Sequence, residues 1–177
     1  MVVALLVVLV IAVGWLVLSY NSLVKLRNKC EESEASLNAC LQQRYDLVPD
    51  LVETVKGYAR HEKGTLEAVI EARNLAQGSG GGAAEDGLTA ALGKVFALSE
   101  SYPELKADKN FASLQESLQK LEGDILNSRM YYNAIVRTYN DKAMVFPTSV
   151  LASLFHFEKK DYIQVDEKAK SKPEVRF

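Results

Sequence analysis

Residues Met1 to Leu18 carry no charge and no polar side chain, and only Gly14 interrupts the apolar run. As a helix, eighteen residues rise about 27 Å, close to the roughly 30 Å hydrocarbon core of a bilayer. Trp15 and Tyr20 stand at the trailing edge, where amphipathic aromatic rings favour the headgroup level. A cleaved secretory leader would need a basic start, a shorter apolar stretch and a small-residue cleavage site. Met1 leads straight into Val2 and Val3, and the exit reads Leu18-Ser19-Tyr20-Asn21. The run therefore reads as a retained membrane anchor over 1–19, with Val2, Leu5, Leu9, Val13, Trp15, Leu18 and Tyr20 as its lipid-facing and interfacial residues. Lys25, Arg27 and Lys29 follow it and no cation precedes it. The positive-inside rule then predicts a single pass with the N-terminus outside and the remainder in the cytoplasm.

Beyond the anchor, breakers are few and helical periodicity dominates. Leu23, Leu26, Cys30, Ser33, Leu37 and Cys40 recur at alternating steps of three and four, with Leu41 beside them. An unbroken helix from Met1 to Tyr45 would be about 68 Å long. Pro49 predicts a boundary, with Asp46 as N-cap of a new helix, or else a kink in a continuous one. Val48, Val52, Val55, Ala59, Leu66, Val69, Ile70 and Arg73 then predict a helix to Gln77. Gly78-Ser79-Gly80-Gly81-Gly82 reads as a flexible loop, taken over 77–87. A shorter helix carries Leu88, Leu92, Val95, Phe96, Leu98 and Tyr102 and stops at Pro103. The last long helix has the clearest pattern: Phe111, Leu114, Leu118, Leu121, Ile125, Ser128, Tyr132, Ile135 and Tyr139 are apolar or aromatic at eight of nine seam positions. Such a seam suits bundle packing or self-association. The predicted fold is all-α: an N-terminal transmembrane helix continuing into an antiparallel four-helix bundle over 20–146, then a cap and tail over 147–177. Ser149 to Phe157 reads as a cap on the bundle's open end, with a lipid-touching interfacial segment as the alternative. Tyr162, Ile163, Val165, Val175 and Phe177 are candidates for docking the polar tail.

Chemistry is sparse. Only His61 and His156 are present, and Tyr58 and Ser153 occupy the positions that a helical di-iron motif would give to glutamate. Thr65 stands where a zincin's second histidine would be. Cys30 and Cys40 lack metal spacing and lie too far apart on one helix for a bridge. His61-Glu62-Lys63-Gly64 distantly resembles a phosphotransfer histidine motif, with the lysine one residue too close. No enzyme, cofactor or metal is expected. Net charge is −2, from 21 basic and 23 acidic residues, which argues against a nucleic-acid partner. The densest polar group is Arg44, Tyr45, Asp46, Asp50 and Glu53, read either as an ion or partner site or as caps and surface ion pairs.

Several motifs together resemble the LemA family: Tyr20-Asn21-Ser22-Leu23-Val24, the run Arg44 to Tyr58 through Pro49-Asp50-Leu51-Val52, His61-Glu62, Glu71-Ala72-Arg73-Asn74, Tyr102-Pro103-Glu104-Leu105, Phe111 to Gln115, Tyr132-Asn133, Tyr139-Asn140, Phe146-Pro147 and Pro173-Glu174-Val175-Arg176-Phe177. The resemblance covers nearly the whole chain. It implies a bacterial protein, anchored in the cell's inner membrane and carrying an antiparallel helical bundle, and it supplies no reaction, cofactor or catalytic residue. Gly78 to Gly82 and Gly123 depart from the pattern. The functional expectation is a scaffold that meets the lipid bilayer and copies of itself as a homo-oligomer, organising or shaping the membrane. The alternative is a tethered adaptor for another membrane or signalling protein.

Overall fold

The structure, a computed structural model, describes residues 1–79 and 82–163. Among them there are six helices and no strand: α1 (Val2–Tyr58), α2 (Lys63–Ser79), α3 (Gly82–Ser101), α4 (Pro103–Lys106), α5 (Lys109–Met144) and α6 (Thr148–Leu154). Two units share the chain. The first holds residues 1–36 and 128–163, and the second holds 37–127. Both α1 and α5 contribute to each.

The second unit is built on one apolar core. Tyr45, Val48, Leu51 and Val55 of α1 meet Leu66, Val69 and Ala76 of α2, Leu88, Leu92 and Val95 of α3, Leu105 of α4, and Phe111 and Leu118 of α5. The steps along α1 are three and four, so its buried residues form one stripe. In the first unit, Leu23 and Cys30 of α1 pack with Tyr132, Val136, Tyr139 and Ala143 of α5 and with Ala152 and Phe157.

Pro49 does not mark a boundary. α1 runs through it to Tyr58, so the helix start expected at Asp46 is absent. A proline inside a helix withholds the N–H that the carbonyl four residues earlier would accept. Here that carbonyl belongs to Tyr45, and the Arg73 side chain takes the vacant place, its Nε donating to Tyr45 O at 3.0 Å. A long-range bond thus replaces the missing local one. The real break lies at Ala59–Glu62, where Glu62 N donates to Ala59 O at 3.1 Å and the apolar pattern skips from Ala59 to Leu66. Arg73→Ala is expected to cost about 1.5–3 kcal/mol, the range for a hydrogen bond from a charged donor. In a Pro49→Ala background the restored N–H reclaims the Tyr45 carbonyl, and the same Arg73 change should cost clearly less. Equal costs in the two backgrounds, read by thermal unfolding of the four variants, would refute the substitution of one bond for the other.

The expected loop at 77–87 is also narrower than composition implied. α2 continues to Ser79 and α3 begins at Gly82; residues 80 and 81 lie outside the described set. Burial of Leu88, Leu92 and Val95 in the core outweighs the helix cost of the neighbouring glycines. Gly123 leaves α5 unbroken.

Helix ends are closed by local chemistry. Asp108 caps α5, its Oδ1 accepting from the Phe111 N–H at 2.8 Å. That bond, and a second from the Tyr58 hydroxyl at 2.8 Å, hold the carboxyl below the usual Asp range. In return, the Asp108 bond raises the Tyr58 phenol above its ordinary value, and a bond to Glu62 does the same for Tyr102. α6 ends with His156 in the left-handed region at φ 54. Phe157 N donates to Ala152 O at 2.8 Å and His156 N to Ser153 O at 3.4 Å, the paired bonds of a Schellman closure. A side chain at positive φ costs about 1 kcal/mol that glycine avoids. His156→Gly is therefore expected to raise the unfolding midpoint, and a drop would mean that the imidazole makes a contact that this geometry does not assign it. The Phe146–Pro147 peptide between α5 and α6 is cis.

Candidate functional site

The anchor residues Val2, Leu5, Leu9, Val13 and Leu18 are all exposed along α1, with Trp15 and Tyr20 less so. An eighteen-residue window there has a mean hydropathy of 3.0 and is 6% buried. An apolar surface of that size on a helix of spanning length has the length and composition of a membrane span.

The polar junction does not stay together. Arg44 and Tyr45 turn inward, whereas Asp46, Asp50 and Glu53 are exposed. Asp46 accepts from Gln42 at 2.7 Å. Arg44 is 1% exposed, and a cation so placed needs partners. Its Nη2 pairs with the buried carboxylate of Glu85. Its Nη1 donates to Glu122 at 2.5 Å and to Thr89 at 3.1 Å. Tyr45 donates its hydroxyl to Glu85 as well. Two carboxylates face one guanidinium, so the cluster carries excess negative charge and is not suited to capture an anion, while Arg44 Nε has no hydrogen-bond partner among the described residues. Glu85, Thr89 and Glu122 were not singled out by sequence. One signal for them existed: Leu37, Arg44 and Leu51 are seven apart, so the arginine stands on a buried stripe and requires an acidic partner.

The α5 seam is occupied within the chain. Phe111, Leu118, Leu121, Ile125, Tyr132 and Tyr139 are buried, Leu114 and Ile135 are half-buried, and Val136 rather than Ile135 is fully enclosed. Most of these positions pack into the cores of the two units, which leaves little of the seam open to a second copy.

Tyr132-Asn133 and Tyr139-Asn140 do more than pack. They pin the extended segment 158–163. The Asn140 amide donates to Lys160 O at 2.8 Å and accepts from Lys160 N at 2.9 Å. Asn133 makes the same pair of bonds with Ile163, at 2.8 and 2.9 Å. The Tyr139 hydroxyl donates to Glu158 O at 2.9 Å and that of Tyr132 to Asp161 O at 3.3 Å. Each pair of contacts is seven residues apart on the helix and three apart on the strap. Seven helical residues rise about 10.5 Å and three extended residues cover about 10 Å, so the two chains stay in step. Of the tail candidates, Ile163 packs on the first unit's core and Tyr162 is exposed. Val165, Val175 and Phe177 lie outside the described residues.

Two apolar surfaces remain open. One is a groove of about 610 Å³ in the second unit, lined by Val52, Leu66, Ile70 and Leu75 and rimmed by Lys56, Arg60, Lys63, Glu67 and Glu71. The other lies beside α6 in the first unit. Among the described residues no three of His, Cys, Asp and Glu gather as metal ligands. His61 sits exposed in the turn between α1 and α2. Cys30 and Cys40 are free thiols, and burial pushes the Cys30 thiol up.

The features together define an all-helical protein with one N-terminal helix of membrane-spanning length. The chain belongs to the LemA family, whose profile matches residues 33–177. It is similar to the magnetosome proteins MamQ 1 and MamQ 2 of Paramagnetospirillum magneticum, each 25% identical over 86% of this chain and 67% of theirs. It is also similar to protein LemA of Metamycoplasma hominis, 23% identical over 75% of this chain and 63% of that one.

Proposed function

We propose that the protein is a membrane-anchored, non-enzymatic scaffold that gathers copies of itself. In this reading residues 2–18 cross the bacterial inner membrane once with the N-terminus outside. The remainder is a cytoplasmic bundle with its long helices antiparallel, and the copies form a homo-oligomer that organises the membrane around it. The observation that carries the reading is the open groove on α1 and α2. Its floor is apolar, Leu75 on its edge is 60% exposed, and opposite charges, Lys56 on α1 and Glu71 on α2, line the same surface. A patch carrying both signs is self-complementary, as contact between two identical copies requires. An anchor that confines copies to one plane strengthens such a contact without adding area.

The test is the size of the full-length protein in mild detergent and in lipid nanodiscs. The wild-type chain is expected as a discrete oligomer, and Leu75→Glu, which touches no core residue, as a smaller species. A wild-type monomer would overturn self-assembly. A second protein retained at fixed ratio by that monomer would favour the adaptor.

A further inference from the structure

Fifteen consecutive residues, 143–157, contain no Asp, Glu, Lys or Arg. They close α5, form α6 and supply the Schellman turn. Only part of this apolar content is used for packing. Leu151, Ala152 and Phe157 are buried, while Met144, Val145, Phe146, Val150, Leu154 and Phe155 are exposed, Phe146 by 79% and Leu154 by 70%. A soluble surface rarely leaves so many large apolar side chains uncovered side by side.

What covers them follows from where they lie along α1. The Tyr20 ring meets Phe155 at 4.9 Å and Phe157 at 5.7 Å, both edge-on. A groove of about 370 Å³ is lined jointly by Leu16, Val17 and Tyr20 of α1 and by Leu151, Leu154 and Phe155. Leu16 and Val17 belong to the apolar run itself. α6 therefore sits level with the last turn of that run, at the depth where acyl chains give way to headgroups. Cations border the patch where anionic headgroups would be: Lys25, Arg27 and Lys29 on α1, Lys142 on α5, and Lys159 and Lys160 after α6. Lys142 reaches Ser22 at 2.6 Å, and Arg27 lies over the Phe157 ring at 5.4 Å.

We propose that α6 and the 144–147 connection form a second membrane contact, an interfacial lipid-binding surface at the exit of the anchor, whose groove against Leu16 and Val17 takes a phospholipid acyl chain. The inference rests on residues 2–18 spanning the bilayer. Its occupant is lipid because the patch is continuous with the span and shares its depth. Apolar side chains with a basic border are the composition of an interfacial segment.

The experiment uses the full-length protein in vesicles of phosphatidylcholine and phosphatidylglycerol, with and without doxyl-labelled lipids that quench tryptophan by contact. Trp15 is the chain's single tryptophan, and its quenching in the wild-type protein reports the span. The interfacial contact is read from Leu154→Trp in a Trp15→Phe background. Met130→Trp in that background serves as the reference, being exposed and fourteen residues before Met144 on α5, about 21 Å away. The expected result is loss of emission at residue 154 comparable with that of Trp15, strongest with the shallow label, and little loss at 130. If Trp15 is quenched and residue 154 is not, the interfacial surface is refuted while the span stands. A blue-shifted, unquenched emission at 154 would mean that a second copy covers the patch, and would equally refute it. If Trp15 itself is not quenched, the span fails and the inference falls with it. Because Leu154 is exposed, the tryptophan disturbs no core.

Discussion

Glu85→Ala is expected to lower the stability of the second unit by about 3–5 kcal/mol, the cost of breaking a buried ion pair by removing one partner. Arg44 and Glu85 are both essentially shielded from water, at 1% and 3% side-chain exposure. Without the Glu85 carboxylate, the guanidinium keeps Glu122, whose side chain is 47% exposed, the Thr89 hydroxyl and a long bond to the backbone carbonyl of residue 85 at 3.5 Å. The Tyr45 hydroxyl loses an acceptor in the same step. The revealing comparison is the double change Arg44→Met with Glu85→Leu. An apolar pair of similar volume removes the desolvation cost together with the attraction, and should be markedly less destabilising than Glu85→Ala alone. Thermal or urea unfolding of the full chain in detergent would read both. A Glu85→Ala loss under about 1 kcal/mol, the size of an ordinary substitution, would show that the cluster contributes little.

Removing both strap asparagines, Asn133→Ala with Asn140→Ala, is expected to free the segment 158–163 from α5. Four hydrogen bonds disappear, each worth about 0.5–1.5 kcal/mol net. Even the lower bound sums to about 2 kcal/mol, or roughly thirtyfold in the local opening equilibrium. Amide exchange at Lys160 and Ile163 is the direct readout, since those N–H groups donate to the two side chains. Tyr139→Phe, which removes a single bond to the Glu158 carbonyl, should show a smaller rise. Unchanged exchange at 160 and 163 in the double variant would mean that packing of Ile163, and not the amide pairs, holds the strap.

Period-driven features were legible in the sequence, and features made by single long-range bonds were not. The apolar run and the α5 seam repeat over many residues, so each position reinforces the next. Whether Pro49 ends a helix or lies inside a continuous one stayed open in the sequence, because the residue that answers its missing N–H, Arg73, lies twenty-four positions away. Glu85 escaped notice because it follows a glycine cluster, where composition argued for a loop. Asn133 and Asn140 showed their spacing of seven plainly. Their partner is an extended, polar stretch with no period of its own, so nothing in the sequence paired the two. The same limit applies to Asp50 and Glu53, which share a neighbourhood in the chain with Arg44 but face away from it.

The strap's geometry restricts how this chain can change length. Helix and strap are matched like the two scales of a vernier, seven divisions against three. Deleting one residue between Lys160 and Ile163 would shift one asparagine's partner by over 3 Å. Inserting one residue between Asn133 and Asn140 would rotate one amide about 100° around α5. Neither error can be absorbed locally, because each amide both donates to and accepts from a single strap residue. Length variation here is quantised: seven residues added to the helix must be accompanied by three added to the strap.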